Sequence, residues 1–260
     1  PMYDMCAEGV VPLANAGFRE DREAPEQTLA MAILQEQAED AGKPWYRGFI
    51  DFAGFFQSVV RQVQEMVEAK AGVTPQVVDV VIALHDSLQV AVDTGERISP
   101  AVPSLTGNGQ GDTDGPVRSM LMLSAMMEAV ERVCAGAELH VPAGVARRRL
   151  VQVFFADDGA FGTDSFAALQ AVFYVASMVA RAEGLVIGID AKGKKTAWHG
   201  AEPDGRGNLR ECGDERRIEL IDGRRVPRAV GRYKHLGGEL EVGGGYAATR
   251  RKVAGRCKAI

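Results

Sequence analysis

Two short apolar runs in this chain each end in acidic residues. Residues 151–155 are apolar apart from one glutamine and lead into Asp157-Asp158-Gly159, and residues 45–50 lead into Asp51. Short apolar runs bounded by turn residues predict buried strands. Adjacent carboxylates repel each other and are costly to keep ionised beside an apolar strand, so a divalent cation would stabilise them. A solvated turn is the alternative, because Asp and Gly are common turn residues.

Apolar residues at helical spacing predict five helices. Gly42 and Pro44 are expected to end the first, and Thr74-Pro75 to cap the third. Thr163-Asp164-Ser165 is expected to cap the fifth. We expect the second and third to be core helices packed on a sheet, with His85 structural. The predicted helices cover residues 25–38, 58–67, 77–88, 119–134 and 166–179, and a short strand is predicted over 184–189.

Alternating residues around tight-turn sequences predict two β-hairpins. One covers 89–104 with Asp93-Thr94-Gly95 at its turn, and the other covers 217–226 around Asp222-Gly223. Asp-Thr-Gly also marks aspartic proteases, which need two such aspartates. Glu96 follows the triplet here and the chain has no second triplet, so the sequence favours the turn.

The charge of the chain is unevenly distributed. The net charge is −5, which alone argues against a nucleic-acid-binding protein. However, residues 192–260 contain 17 Lys and Arg against 9 Asp and Glu, whereas residues 1–191 contain 13 and 26. This asymmetry suggests that the C-terminal part meets a polyanion, and a solvated basic face is the alternative.

Size and cysteine content are typical of a globular intracellular protein, in the nucleus or the cytoplasm. The 260 residues are 46% hydrophobic and 25% charged, and no apolar run is long enough to span a membrane. The four cysteines are widely spaced, which favours a reduced protein and argues against a zinc site. We therefore expect no membrane association.

The two acidic strand ends resemble polymerase motifs. Ile50-Asp51-Phe52-Ala53-Gly54-Phe55-Phe56-Gln57-Ser58-Val59 is similar to the first catalytic motif of reverse transcriptases, and Phe155-Ala156-Asp157-Asp158 to their aromatic-x-Asp-Asp motif. Between them, Gln110, Gly111 and Pro116 match the Gln-Gly-x-x-x-Ser-Pro motif, with Gly115 where serine is usual.

Three further segments follow the same order. Asn15-Ala16-Gly17-Phe18-Arg19 resembles the Gly-Phe-Arg segment that precedes the first catalytic strand, and Lys195-Thr196 the Lys-Thr of the motif after Asp-Asp. Tyr233-Lys234-His235-Leu236-Gly237 resembles the element that grips the primer. The ordered set, over residues 12–258, is similar to reverse transcriptases of non-LTR (LINE-type) retrotransposons.

The resemblance implies a fold and a domain arrangement. We expect an α+β fold with a polymerase palm-like antiparallel sheet and helices packed on one face, plus partial fingers. Residues 1–44 would be the fingers segment, 45–240 the palm, and 241–260 the start of the connection to a thumb that is missing. The implied partners are an RNA template, a DNA primer, deoxynucleoside triphosphates and the remainder of a larger retroelement polyprotein.

The resemblance also implies roles for individual residues. Two Mg²⁺ ions, or Mn²⁺, would be held by the three carboxylates, and Lys195 would donate a proton to pyrophosphate or contact phosphate. An aromatic residue at position 56 would exclude a ribose 2′-hydroxyl, and packing in the core is its alternative. The implied catalytic residues are Asp51, Asp157, Asp158 and Lys195, with Asp51, Asp157 and Asp158 as metal ligands. The implied nucleotide- and template-binding residues are Phe52, Phe56, Gln110, Gly111, Pro116 and Arg19. The implied primer-grip residues are Tyr233, Lys234, Leu236 and Gly237.

Two other functions fit parts of the sequence. A truncated, inactive retroelement remnant would retain the fold and at most bind nucleic acid. Another palm-fold enzyme, such as a nucleotide cyclase, would share the acidic strand ends, but the Gln110-Gly111 and Leu236-Gly237 elements argue against it.

Overall fold

The computed structural model describes most of the chain. The described residues are 14–17, 19, 22–104, 106–107, 115–134, 137–139, 148–190, 195–204, 206, 208–230, 232–235 and 238–241. The helices are α1 (Ala24–Asp40), α2 (Phe55–Ser58), α3 (Arg61–Lys70), α4 (Pro75–Asp86), α5 (Gly115–Val133) and α6 (Phe166–Ala182). The strands are β1 (Trp45–Ile50), β2 (Gln89–Val90), β3 (Val102–Pro103), β4 (Ala137–Leu139), β5 (Arg148–Leu150), β6 (Gln152–Phe155), β7 (Asp158–Thr163), β8 (Ala197–Pro203), β9 (Leu209–Glu211), β10 (Ile218–Glu219), β11 (Arg225–Val226), β12 (Arg232–His235) and β13 (Gly238–Glu241).

A five-stranded antiparallel sheet organises the described part of the chain. Its strand order is β6-β7-β1-β8-β9, with β1 in the centre and buried along its whole length. In the register of the sheet, Ile50 lies opposite Gly159 and Phe155 lies opposite Asp158. The predicted α+β class, with helices packed on an antiparallel sheet, is confirmed.

Both faces of the sheet are covered. Alternate residues of a strand point to opposite faces, so each strand contributes to two cores. Helices α5 and α6 pack on one face, while α1, which lies in the segment predicted to be fingers, packs on the other. The core on the α5–α6 side includes Ile50, Phe154, Phe161 and Trp198. The core on the α1 side includes Phe49, Val153, Ala160 and Ala197.

A buried ion pair joins α3 to α5. The Nε atom of Arg118 lies 2.5 Å from Oε1 of Glu68, and both side chains are buried. The same guanidinium contacts the ring of His85 in α4, with 2.9 Å between Nη1 and Nδ1. Breaking a buried pair leaves an uncompensated charge, so this cluster fixes the three helices relative to one another.

Helices α3 and α4 differ from the prediction that they are core helices packed on the sheet. Helix α3 packs mainly on α5, and α4 mainly on α3, so neither is a core helix that lies chiefly on the sheet. Val77, Val80 and Leu84 of α4 are 51, 60 and 60% exposed. These side chains are exposed because α4 has apolar residues on several sides, whereas only one stripe of the helix, which includes Val78, is buried.

Both predicted hairpins are confirmed, but the strand predicted over 184–189 is wrong. Strands β2 and β3 pair around the Asp93-Thr94-Gly95 turn, and β10 pairs with β11. In segment 184–189, the described pairing is a single bridge between Ile187 and Phe52. The segment lies beside the residues that come directly after β1, where that strand has already ended.

In the described part of the chain, no helix has the length and apolar content needed to cross a membrane.

Candidate metal centre

Three carboxylates meet at one end of the sheet. Asp51 directly follows the last residue of β1, and Asp157 lies in the two-residue turn between β6 and β7, where Asp158 begins β7. Because β7 pairs antiparallel with both β1 and β6, the end of β1 and the β6–β7 turn lie at the same edge. In the register of these strands, Ile50, the residue before Asp51, lies opposite Gly159, the residue after Asp158.

The backbone of Asp51 is held by residues far away in sequence. Its N–H donates to the hydroxyl of Thr196 at 3.1 Å, and its carbonyl accepts a hydrogen bond from Gly188 N–H at 2.8 Å. Thr196 is fully buried, so this contact is shielded from water. A Cβ at Gly188 would lie 2.8 Å from Asp51 Oδ2, which explains why a residue without a side chain stands there.

The carboxylates lie in an environment that disfavours their ionised form. Burial, followed by the charges of Asp157 and Asp51, raises the pKa of Asp158 to about 6. Burial, with a smaller effect of Asp51, also raises the pKa of Asp157. The pKa of Tyr233 is raised by burial and by the nearby charges of Asp158, Asp51 and Asp190. A cation at this edge would favour the ionised carboxylates.

The β6–β7 turn is supported by an N-terminal segment. Ala156 in the turn has φ 56°, a left-handed conformation that costs energy for a residue with a side chain. Asn15 pairs with Phe154 in a parallel bridge, and Ala16 N–H donates to Phe154 O at 2.8 Å. A Cβ at Gly17 would lie only 2.1 Å from Ala156 N, so the segment packs directly on the backbone of the turn.

The residues present fit a divalent cation. Oδ2 of Asp51 is buried and accepts no hydrogen bond from any described residue. Its cationic neighbour is Lys195, whose Nζ lies 3.3 Å away. In the described part of the chain, no three His, Cys, Asp or Glu side chains already stand in a metal-binding group. Carboxylate oxygens are nevertheless the ligands that Mg²⁺ and Mn²⁺ prefer, and the ammonium group of Lys195 lies beside one of them.

Two aromatic residues predicted at this site follow Asp51 closely. Phe52 is buried and bridged to Ile187. Phe56 is partly buried, and its ring packs edge-on against Phe55 at a centroid distance of 5.6 Å. Gly107 N–H donates to Val59 O at 2.9 Å, so the chain three residues before Gln110 lies beside the segment that follows Asp51.

Some of the remaining predicted site residues are described by the structure, and others are not. Pro116 lies in the first turn of α5, and Arg19 Nη1 donates to the carbonyl of Asn15 at 3.3 Å. Tyr233 is buried in β12, and its ring stacks on that of Phe49 at 4.0 Å. Lys234 follows it in β12. The predicted residues Gln110, Gly111, Leu236 and Gly237 lie outside the described residues.

The structure adds three residues to the predicted site. Gly188 and Thr196 hold the backbone of Asp51, and the charge of Asp190 contributes to the raised pKa of Tyr233. The Lys-Thr pair marked Thr196 only as a neighbour of Lys195. Asp190 follows an apolar run, as Asp51 does, and that pattern was the available signal.

Many arginines of the basic C-terminal part are paired with nearby carboxylates. Arg216 lies 2.8 Å from Glu202, and Arg224 lies 2.7 Å from Asp222. Arg228 lies 2.9 Å from Asp214. These pairs reduce the positive charge that this region offers to a polyanion.

Comparison with known protein families finds no family that matches this chain, and no curated protein matches it.

Proposed function

We propose that this chain is the palm region, with partial fingers, of a reverse transcriptase of the non-LTR type. It would be an RNA-directed DNA polymerase that joins deoxynucleotides to a primer 3′-hydroxyl on an RNA template. The observation that carries the proposal is the register of the sheet: Ile50 lies opposite Gly159, so Asp51 lies at the same end of the sheet as Asp157 and Asp158, although more than 100 residues separate it from them in sequence. The proposal extends to a larger retroelement polyprotein as the parent of this chain.

The chain's own groups account for the reaction as follows. Asp51 and Asp157 would hold both of two Mg²⁺ or Mn²⁺ ions, with Asp158 a weaker ligand and the carbonyl of Phe52 a further oxygen. Such ions, when bound, promote deprotonation of the hydroxyl and stabilise charge on the leaving pyrophosphate. Lys195, at the rim of the site and half exposed, can supply a proton to that leaving group.

The aromatic pair after Asp51 bears on the choice of sugar. Phe56 is only partly buried, so part of its ring is open to an incoming nucleotide. We propose that this ring excludes a 2′-hydroxyl, which makes the product DNA. Gln110, Gly111, Pro116 and Arg19 would bind nucleotide and template, and the β12 element with Tyr233 and Lys234 would support the primer.

Primer extension tests this function. The chain is incubated with a DNA primer on an RNA template, deoxynucleotides and Mg²⁺, and incorporation is followed on a gel. Asp157→Asn should reduce incorporation by at least about 100-fold, because it removes a carboxylate that would hold the proposed metal ions. Asp79→Asn, an exposed aspartate on α4, is the matched control and should leave the rate unchanged. Incorporation that survives in Asp157→Asn would refute the proposal.

A nucleic-acid-binding module without catalysis is the second candidate. It is favoured by one observation: Asp51 is paired with the ammonium group of Lys195. Fluorescence anisotropy with a labelled RNA–DNA hybrid, measured over a range of salt concentrations, separates the two. Salt-sensitive binding without incorporation, in the wild type as in Asp157→Asn, would favour the binding module.

A further inference from the structure

The ammonium group of Lys195 occupies a place beside the candidate metal ligands. Its Nζ lies 3.3 Å from Oδ2 of Asp51, an oxygen that is buried and accepts no hydrogen bond from the described residues. About half of the Lys195 side chain is exposed, so the ammonium can move into solvent without disturbing the core. We propose that Lys195 is a tethered counter-cation, which neutralises the carboxylate site in the free protein and competes with divalent metal for Asp51.

The backbone of Lys195 is fixed so that its side chain stays within reach of Asp51. The hydroxyl of Tyr233 donates a hydrogen bond to the carbonyl of Lys195. The next residue, Thr196, bonds through its hydroxyl to the N–H of Asp51 at 3.1 Å. Thr196 N–H in turn donates to Gly188 O at 3.2 Å. Only the flexible end of the lysine is therefore free to leave, which is the arrangement a displaceable ligand needs.

Electrostatics decides the direction of the effect. The ammonium and a divalent ion are both attracted by the same carboxylates and repel each other, so each weakens binding of the other. The lysine side of this ion pair is about half exposed. Water screens the pair there and reduces its contribution to stability, so the ammonium can be displaced by an ion of higher charge. The inference rests on the proposed function, since it assumes that Asp51 and Asp157 share a metal site.

The consequence is a site that has low affinity for divalent ions until a nucleotide binds. With Lys195 on Asp51, the free protein binds divalent ions weakly. A nucleotide carries negative charge and brings a bound cation. Its negative charge can attract the ammonium of Lys195 away from Asp51, and the carboxylate of Asp51 is then free to bind the cation. Tyr233 is a positioning residue in this account, because it acts through the backbone of Lys195.

Titration with Mn²⁺, following the electron paramagnetic resonance signal of the free ion, tests the inference without any activity assay. Lys195→Gln should bind Mn²⁺ about threefold to fivefold more tightly than the wild type, as expected for loss of one competing exposed ion pair. Lys195→Arg keeps the charge and should remain close to the wild type. Tyr233→Phe keeps the stacked ring but loses the hydroxyl, and should bind with intermediate affinity.

Two controls separate this inference from the proposed function. Lys70→Gln removes a lysine that is also paired with a carboxylate, Glu128 at 3.7 Å, and should leave Mn²⁺ affinity unchanged. Asp157→Asn should weaken Mn²⁺ binding in the wild type and in Lys195→Gln alike. If Asp157→Asn weakens binding but Lys195→Gln binds no more tightly than the wild type, the counter-cation is refuted and the metal site stands. If Asp157→Asn has no effect in either background, both the metal site and this inference fail.

Discussion

Two buried titratable side chains that have no hydrogen-bond partner among the described residues contribute to the pH dependence of stability. Glu183 has both carboxylate oxygens buried, and His199 has both ring nitrogens buried. None of these four atoms forms a hydrogen bond within the described part of the chain. Burial raises the pKa of Glu183 to about 8. Burial, then the charges of Arg47 and Arg228, lowers the pKa of His199 to about 3. Each group is therefore neutral in the folded protein near pH 7.

These two groups act in different pH ranges. The raised pKa of Glu183 means that the fold favours its protonated form, so stability falls as the pH rises from about 4.5 to about 8. The lowered pKa of His199 means that stability falls as the pH drops below about 6.5. Asp158, with a pKa of about 6, is already mostly ionised at pH 6.5 and contributes little to changes in stability above that pH. The interval from pH 6.5 to 8.5 consequently reports on Glu183.

We expect Glu183→Gln to stabilise the protein at alkaline pH. Gln keeps the shape but has no charge to bury, so the loss of wild-type stability between pH 6.5 and 8.5, on the order of 2 kcal/mol, should disappear. Chemical denaturation across this pH range measures the difference. Glu96→Gln, at an exposed hairpin residue, is the control and should follow the wild type. A wild type whose stability is flat between pH 6.5 and 8.5 would contradict the assignment.

At the level of elements, the strands with acidic ends could be predicted from sequence and their partners could not. Strands β1 and β6 are dense in apolar residues, which is a local signal. Strand β7 contains two glycines and begins with Asp158, so its composition disfavours a strand. It forms because it lies between β1 and β6, with partners on both sides. That stabilisation comes from tertiary contacts, which a local pattern does not contain.

For the candidate site, the carboxylates could be predicted from the sequence, and the residues that contact them across the fold could not. Asp51, Asp157 and Asp158 stand out because carboxylates are unexpected beside apolar runs. The hydroxyl of Thr196 bonds to the backbone of Asp51 across 145 residues, and such a contact leaves no local pattern. The same holds for Tyr233: the motif marked it as a primer-grip residue, while its stacking on Phe49 follows only from the folded sheet.

The short N-terminal segment that supports the β6–β7 turn can be tested separately. Gly17→Ala places a Cβ 2.1 Å from Ala156 N, so the segment or the turn must move. We expect primer extension to fall by at least about tenfold and stability by about 1–3 kcal/mol, the usual cost of overpacking. The two quantities are measured by gel assay and by chemical denaturation on the same preparation.

A second substitution shows whether the turn is the affected part. Ala156→Gly relieves the left-handed strain and gives the turn more freedom, so adding it to Gly17→Ala should restore part of the lost rate. Gly95→Ala is the control, because a Cβ at Gly95, unlike one at Gly17, would meet open space, and Gly95 lies in the β2–β3 hairpin. It should cost about 1 kcal/mol of stability through its positive φ and leave primer extension unchanged. Equal rate losses in Gly17→Ala and Gly95→Ala would argue against a specific role for the segment.

For the whole molecule, the arrangement places a concentrated negative site at the edge of a sheet that is covered on both faces. The central strand β1 is packed against α6 on one side and α1 on the other, so Asp51 is carried on a rigid element. Rigid placement of ligands favours a cation site of defined geometry. A bound cation would compensate the charge of these carboxylates, whereas Arg216, Arg224 and Arg228 of the C-terminal region are paired with other carboxylates.

Anomalous diffraction from crystals grown with Mn²⁺ and a deoxynucleotide tests the central claim most directly, because it locates the ions themselves. The account predicts two Mn²⁺ ions about 4 Å apart, with oxygens of Asp51 and Asp157 as ligands at about 2.1 Å and Lys195 displaced from Asp51. Manganese bound only at Asp157 and Asp158, with Asp51 still paired with Lys195, or bound elsewhere on the protein, would contradict it.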